Sequence, residues 1–337
     1  MFRIRDVLGW LKPALGAAAV GTLVPLALAT GVAAQAFPTA PVKLICDSAP
    51  GSANDVTARV YADKLSAIWK QQVIVVNAPG AGGAIAARMA AAAPADGYTF
   101  FMPVTSEFFA LAGAPDVAAN LPLRLPRDFK AVAFANSQPL FVGASLKAPF
   151  NNVAEMLALA RQKPGGLSYA TTGRGRLTHL AMELLQATTD TKFQMIAYNG
   201  GAATAMSDLT SGRVELVLEA YAGLAPMFRG GLLKGFATTS GKRAKAFPDI
   251  PAIAETVPGF SVIAWGVFVA PLGTPDAIIA KMNADIRIAQ EDPDLIARIE
   301  ANGGDTRYMT PAELTDFVNS EQAKIIPVLE KAMKDTP

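Results

Sequence analysis

A chain of 337 residues that is 51% hydrophobic has enough apolar mass for sizeable cores, and its formal charge of +2 is close to neutral. That balance leaves no basic excess of the kind a nucleic-acid surface requires. One histidine and one cysteine exclude a His/Cys metal centre and an internal disulfide.

The N-terminus carries Arg3, Arg5 and Lys12, then an apolar stretch from Ala14 to Val32, then the small residues of Ala34-Gln35-Ala36. This order predicts a secretory signal cleaved before Phe37, in preference to an uncleaved membrane anchor. Its removal takes three of the 30 basic and one of the 28 acidic residues, leaving 27 of each sign.

Val42 to Cys46 is a short apolar run that predicts a buried strand. The small-residue turn Asp47 to Ser52 follows, and then Val56, Val60, Leu65 and Ile68 recur at helical spacing. Ser52, Asn54 and Asp55 are all able to cap that helix. A strand, a glycine-containing turn and a helix point free N–H groups and a positive dipole end at whatever lies above the strand's carboxyl edge. The device recurs at Val73–Val76 with Asn77 to Gly83, at Leu167–Thr171 with Thr172 to Arg176, and at Phe193–Ala197 with Tyr198 to Gly201. Helices are expected after each of these turns, over 84–93, 177–187 and 202–209. Such turns suggest parallel sheets that bind ligand at the strand ends.

Further strands are expected at Tyr98–Val104, Ala131–Ala135, Leu140–Ala144, Val214–Leu218 and Leu233–Thr238, with a return segment at Ser261–Ala270. Residues Asp116 to Phe129 read as a surface connection. Further helices are expected at Val153–Gln162 and Leu224–Arg229. Another runs to Gln290, with Thr274 as N-cap and Pro275 at its first position. The last covers Pro311–Lys334, with Pro327 a point of interruption. The expected fold class is α/β in two lobes, each a mostly parallel sheet flanked by helices. Lobe 1 comprises residues 37–140 and 262–337, and lobe 2 comprises residues 141–261. Two crossing segments then give a hinge and a cleft.

Catalytic chemistry finds little footing. No Gly-x-Ser-x-Gly and no Ser-x-x-Lys occurs, and no Asp-rich loop has calcium spacing. Gly80-Ala81-Gly82-Gly83-Ala84-Ile85 has Ile85 where a dinucleotide fingerprint needs a third small residue, and Gly241-Lys242-Arg243 lacks the P-loop hydroxyl and spacing. Cys46, in the first strand, reads as a small buried hydrophobe. His179 reads as a ring hydrogen-bonded to the neighbouring loop backbone. No cofactor and no metal are expected.

In order along the chain stand Pro50-Gly51-Ser52-Ala53-Asn54-Asp55-Val56-Thr57-Ala58-Arg59, Asn77-Ala78-Pro79-Gly80-Ala81-Gly82-Gly83 and Asp96-Gly97-Tyr98-Thr99. Gly173-x-Gly175 then precedes Thr178-His179-Leu180 and Glu183-Leu184, followed by Tyr198-Asn199-Gly200-Gly201-Ala202 and Gly212-Arg213-Val214-Glu215. Pro248-Asp249-Ile250-Pro251, Trp265-Gly266 and Ala270-Pro271-Leu272-Gly273-Thr274-Pro275 complete the series. In these motifs, and over essentially the whole chain from Pro41, the sequence resembles the periplasmic solute receptors of tripartite tricarboxylate transporters, the Bug family.

The resemblance implies a two-lobed periplasmic-binding-protein (flytrap) fold and a non-enzymatic, periplasmic receptor, expected to be monomeric. It would close on a small organic carboxylate and deliver it to membrane subunits of a transporter. It places Gly51, Ser52, Ala53 and Asp55 in the first lobe's part of the ligand site. Thr172, Arg176, Leu177 and Thr178 fall in the second lobe's part, with Tyr198, Gly200, Gly201 and Ala202 nearby. Within it Asp55 is expected to cap the first helix, Ser52 and Thr178 to donate hydroxyl hydrogen bonds, and Tyr198 to wall the cleft. Ser52 replaces the second glycine of the opening motif, and Arg174 and Arg176 stand where small polar residues are common. Asn199 stands where a lysine is frequent, and Glu219 where an aspartate is. Either guanidinium, Arg174 or Arg176, if it points inward, would favour a more anionic ligand; the alternative is that both lie on the surface. Two alternatives are a receptor that signals to a sensor protein and, further off, an exported enzyme using Glu219 or His179.

Overall fold

The computed structural model describes residues 37–113, 123–171, 173, 176–198 and 202–334. Strands β1 (Val42–Cys46), β2 (Val73–Asn77), β3 (Thr99–Met102), β4 (Phe129–Pro139) and β10 (Ile263–Pro271) form one five-stranded sheet in the order β2-β1-β3-β10-β4. Strands β5 (Phe141–Ser145), β6 (Ser168–Thr171), β7 (Gln194–Ala197), β8 (Leu216–Glu219) and β9 (Leu233–Thr238) form a second, in the order β7-β6-β8-β5-β9.

The helices in chain order are α1 (Ala53–Trp69), α2 (Ala84–Ala91), α3 (Thr105–Gly113), α4 (Val153–Gln162) and α5 (Leu177–Thr189). They continue with α6 (Ala202–Ser211), α7 (Tyr221–Arg229), α8 (Asp276–Gln290), α9 (Pro293–Glu300) and α10 (Pro311–Lys334).

Strand pairing fixes which edges of the sheets meet. β1, β2 and β3 are mutually parallel, β10 runs against β3, and β4 runs against β10 and so with the others. In the second sheet β6, β7 and β8 are parallel, while β5 runs against both β8 and β9. The chain leaves the first sheet at the carboxyl end of β4 and enters the second, through the single residue Leu140, as the reversed strand β5. It goes back from the carboxyl end of β9 into the reversed strand β10. Each reversed strand therefore begins at its sheet's carboxyl edge, and the two carboxyl edges face the crossing.

Alternation along the strands sorts side chains between two faces. Leu44, Cys46, Phe100, Met102 and Phe268 pack with Tyr61 and Leu65 of α1 and with Met282 and Ile286 of α8. Ile45, Phe101, Val267 and Val269 enter the opposite cluster with Phe108 and Phe109 of α3 and Leu314 and Val318 of α10. That cluster continues without a break into Tyr169, Leu180, Leu184, Leu216 and Leu218 around the second sheet. Helix α10 joins them, packing on α3 and β4 of one side and α5 of the other. The far face of the second sheet is filled by Phe141, Val217, Leu209, Leu224 and Met227.

Several sequence expectations shift here. Helix α8 begins at Asp276 with Pro275 in the N-cap position, and the buried Thr274 hydroxyl donates to the Pro271 carbonyl at 2.8 Å. A proline offers no side-chain cap, so the threonine serves the preceding turn instead. Of the connection expected at the surface, residues 114–122 lie outside the described residues, while Leu123 and Leu125 are buried. Helix α10 runs through Pro327 without a break in its assignment. Helices α3 and α9 were not among the expected elements, although Asp292 and Pro293 give α9 a regular start.

Thr239 ties the two crossings together. It is fully buried, its N–H and Oγ exchange hydrogen bonds with Leu140 at 3.0 Å, its Oγ donates to the Val262 carbonyl at 2.6 Å, and its own carbonyl accepts from Val262 at 2.8 Å. Thr239→Val keeps the shape but strips the Leu140 N–H and the Val262 carbonyl of a partner. Urea denaturation should register a loss of about 1–3 kcal/mol; unchanged stability contradicts the role of this clasp.

Candidate functional site

Burial sets the chemistry at the end of β1. Cys46 is wholly inaccessible, and burial pushes its thiol up to about 12, so it offers no thiolate nucleophile. Beyond it the chain turns through Gly51, whose φ of +82° suits glycine. Ser52 is extended and caps α1, its Oγ accepting the Asp55 N–H at 3.3 Å. The cap is thus Ser52 and not Asp55. Asp55, 1% exposed, reaches back instead, accepting from Gly51 N at 2.8 Å, Arg59 Nε at 3.0 Å and Asn77 Nδ2 at 2.8 Å. Asn77 also donates to the Ser48 carbonyl at 2.9 Å, which binds the end of β2 to the same turn. The turn is rigid, and the N–H groups of Ala53 and Asn54 have no acceptor within the helix.

The second sheet offers a matching helix end. Arg176 is the exposed, extended N-cap of α5 and gives no side-chain cap, so the first-turn N–H groups depend on other acceptors. The side chain of Leu177 belongs to the core, leaving only its backbone for the site. The Thr178 hydroxyl is buried 2.6 Å from that of Thr171, so it fastens the helix to β6 instead of standing open in the cleft. Tyr198 packs on the far-face cluster and its hydroxyl donates to Asp208 at 2.5 Å. Thr172, Gly200 and Gly201 lie outside the described residues, as does the Ala202 side chain. His179 is buried with Nε2 3.3 Å from Glu183 Oε1, one turn along its own helix.

Residues from both sheets meet electrostatically at Arg176. Its charge acts on Glu107 of α3, in the first sheet's layer, and on Glu219 at the carboxyl end of β8. Burial raises both carboxyls, and Arg176 opposes the rise in each. Beside the α1 N-terminus a cavity of about 40 Å³ is lined by Ala53, Asn54, Val104, Asn136, Gln138 and Gly266. Its lining is largely apolar, with Asn54, Asn136 and Gln138 among the residues that border it, and it is roomy enough for ordered water. Glu107, Asn136 and Gln138 escape the motif search because they come to the site only through sheet order.

Paired sheets with facing carboxyl edges, joined by two crossings, define the class of two-lobed solute receptors. Residues 57–333 match the tripartite tricarboxylate transporter family receptor, and the chain belongs to that family. It is 34% identical over 294 residues to the "UPF0065 protein in tcbD-tcbE intergenic region" of Pseudomonas sp. (strain P51), covering 85% of this chain and 84% of that one. Protein BugT of Bordetella pertussis is 30% identical over 306 residues, covering 90% and 93% of the two chains. Among solved structures, an R. palustris protein with adipate superposes with a TM-score of 0.73 at 27% identity, covering 88% of this chain and 98% of that one. MatC of Rhodopseudomonas palustris with bound malate gives 0.72 at 27% identity, covering 87% and 100%. The family is one of transporter receptors, and the chain is a receptor of this kind and not an enzyme.

Asp55 makes the first-sheet turn sensitive to acid. Burial alone would raise its carboxyl, but the hydrogen bonds from Arg59, Asn77 and Gly51 outweigh it and hold it below the ordinary value. A depressed carboxyl contributes stability that is fully present above its unfolded value near 3.8 and is lost as pH falls through the folded value. Asp55→Ala should cost about 1–3 kcal/mol near neutrality. The gap between the two proteins in urea denaturation should close in acid, and a gap that is constant with pH contradicts the assignment.

Proposed function

We propose that this chain is an exported receptor that closes on a small organic carboxylate and hands it to the membrane subunits of a tripartite tricarboxylate-type transporter. Residues 1–36 serve as the signal and are removed after Ala36. Residues 37–140 with 262–337 form one lobe and residues 141–261 the other. The observation that supports the reading is that two helices, α1 and α5, begin at the carboxyl edges of the two sheets, the edges from which the chain crosses between them.

Gly51, Ser52 and Ala53 receive the ligand from one side, with Asp55 holding their turn. Arg176 and the backbone of Leu177 and Thr178 receive it from the other, with Thr172, Tyr198 and Gly200 to Ala202 closing the wall. One helix N-terminus supplies about 0.3–1 kcal/mol toward an anion. A micromolar site needs roughly 8 kcal/mol. The difference comes from direct hydrogen bonds, from water excluded on closure, and from the Arg176 guanidinium, which pairs bidentately with a second carboxylate. A dicarboxylate is therefore the preferred class, in keeping with the adipate and malate held by the two R. palustris structures.

Thermal shift of the chain from Phe37 against mono-, di- and tricarboxylates tests this reading. A ligand at a hundred times its Kd adds about 2.7 kcal/mol. Dicarboxylates should stabilise most, and Arg176→Ala should weaken them by about 10- to 100-fold, the worth of a charge-assisted hydrogen bond. Equal binding by the variant, or no response to any organic acid, contradicts the proposal.

A further inference from the structure

Glu107 is the least satisfied charged side chain near the site. It is 1% exposed, and among the described residues its Oε2 accepts the Val104 N–H at 3.1 Å while its Oε1 finds no donor. The carboxyl is pressed beneath Gly83, where an added Cβ would fall 1.5 Å from Oε1. No movement is open to it on that side. The neighbouring Asp47 carboxyl, by its charge and as a hydrogen-bond acceptor, pushes the Glu107 carboxyl further up. Two carboxyls can hydrogen-bond only by sharing a proton.

Of the two, Asp47 is the one supplied with donors: Asn54 Nδ2 at 2.7 Å and Ser48 Oγ at 2.8 Å. The proton therefore belongs on Glu107, whose burial and whose neighbour Asp47 both hold the carboxyl neutral. Through Asp47 this bond reaches Asn54 in the first turn of α1, and so the N–H groups offered to a ligand.

We propose that Glu107 is a positioning residue of the ligand site: as a neutral acid it donates to Asp47, fixes the turn before α1 and keeps a second negative charge away from the incoming anion. This inference rests on the ligand site proposed above. Ionising Glu107 would set two carboxylates against each other beneath the helix end and repel a carboxylate ligand.

The groups facing Glu107 set the direction of its titration. Asp47 and Cys46 come from the end of β1 and Arg176 from α5. The short turn Ala81–Gly83 and strand β10 contribute no titratable side chain, and the nearby α10 carries Glu321, which is offset by Lys324 and Arg307. Burial and Asp47 hold the Glu107 proton, and Arg176, brought in from the other sheet, loosens it. A carboxyl raised in the folded state contributes most below its unfolded value near 4.5 and loses that contribution as pH rises through the folded value.

Glu107→Gln keeps a donor toward Asp47 and cannot ionise. In ligand-free protein, difference infrared spectra of wild type against Glu107→Gln should show the carbonyl band of a protonated carboxylic acid near neutral pH. Unfolding followed against pH should show wild type losing ground to the variant as pH rises. With malate and adipate as probes, wild-type affinity should fall about tenfold per pH unit above the transition, while the variant's stays level. Absence of the protonated band, or identical pH profiles for the two proteins, overturns the proposal. If neither probe binds, the ligand reading fails, and the infrared and unfolding results still decide the state of Glu107.

Discussion

The antiparallel entry of one strand into each sheet is the constraint on which the molecule depends. Because β5 and β10 both begin at a carboxyl edge, the two carboxyl edges face the same crossing. Strand-to-helix turns at those edges start α1 and α5 there, the arrangement on which the proposed ligand site rests. The continuous apolar cluster on one face, with α10 packed across both sheets, fixes the relation between the edges. Thr239 sits where both crossings pass and hydrogen-bonds to each.

Around this geometry the polar residues divide their work. Those nearest each helix end are occupied in building it: Ser52 caps, Asp55 holds Gly51, Asn77 ties β2 to the turn, and Thr171 with Thr178 fastens α5. In the proposed site, what remains for a ligand is mostly backbone N–H, together with Arg176. Such a site recognises the charge and shape of an acid more than its substituents, and one framework can accept different acids after changes at a few positions. On the proposed reading those positions are Arg176 and the two carboxyls its charge acts on, Glu107 and Glu219.

Much of the architecture was legible because local chemistry and tertiary role coincide. A β-branched run such as Val73–Val76, a glycine turn and an apolar helix face each have one compact solution, and strand Leu233–Thr238 and helix Val153–Gln162 fall where the pattern puts them. Site residues were legible as backbone positions but less so as side chains. Leu177 follows a cap and reads as cleft-facing, yet the helix turns its side chain into the core. Thr178 and Tyr198 carry hydroxyls that look free in sequence and are paired in the fold. Glu107 belongs to none of the motifs along the chain. Its meaning comes from Asp47 and Gly83, which only the order β2-β1-β3 brings beside it.

The central claim, that both carboxyl edges hold one anion together, is tested most directly by amide hydrogen exchange on the chain from Phe37 with and without a bound dicarboxylate. The account predicts that ligand slows exchange together over the turn and first helical residues at 51–56 and at the start of α5, 176–180. Protection confined to one of these segments, or lying away from both, would contradict it.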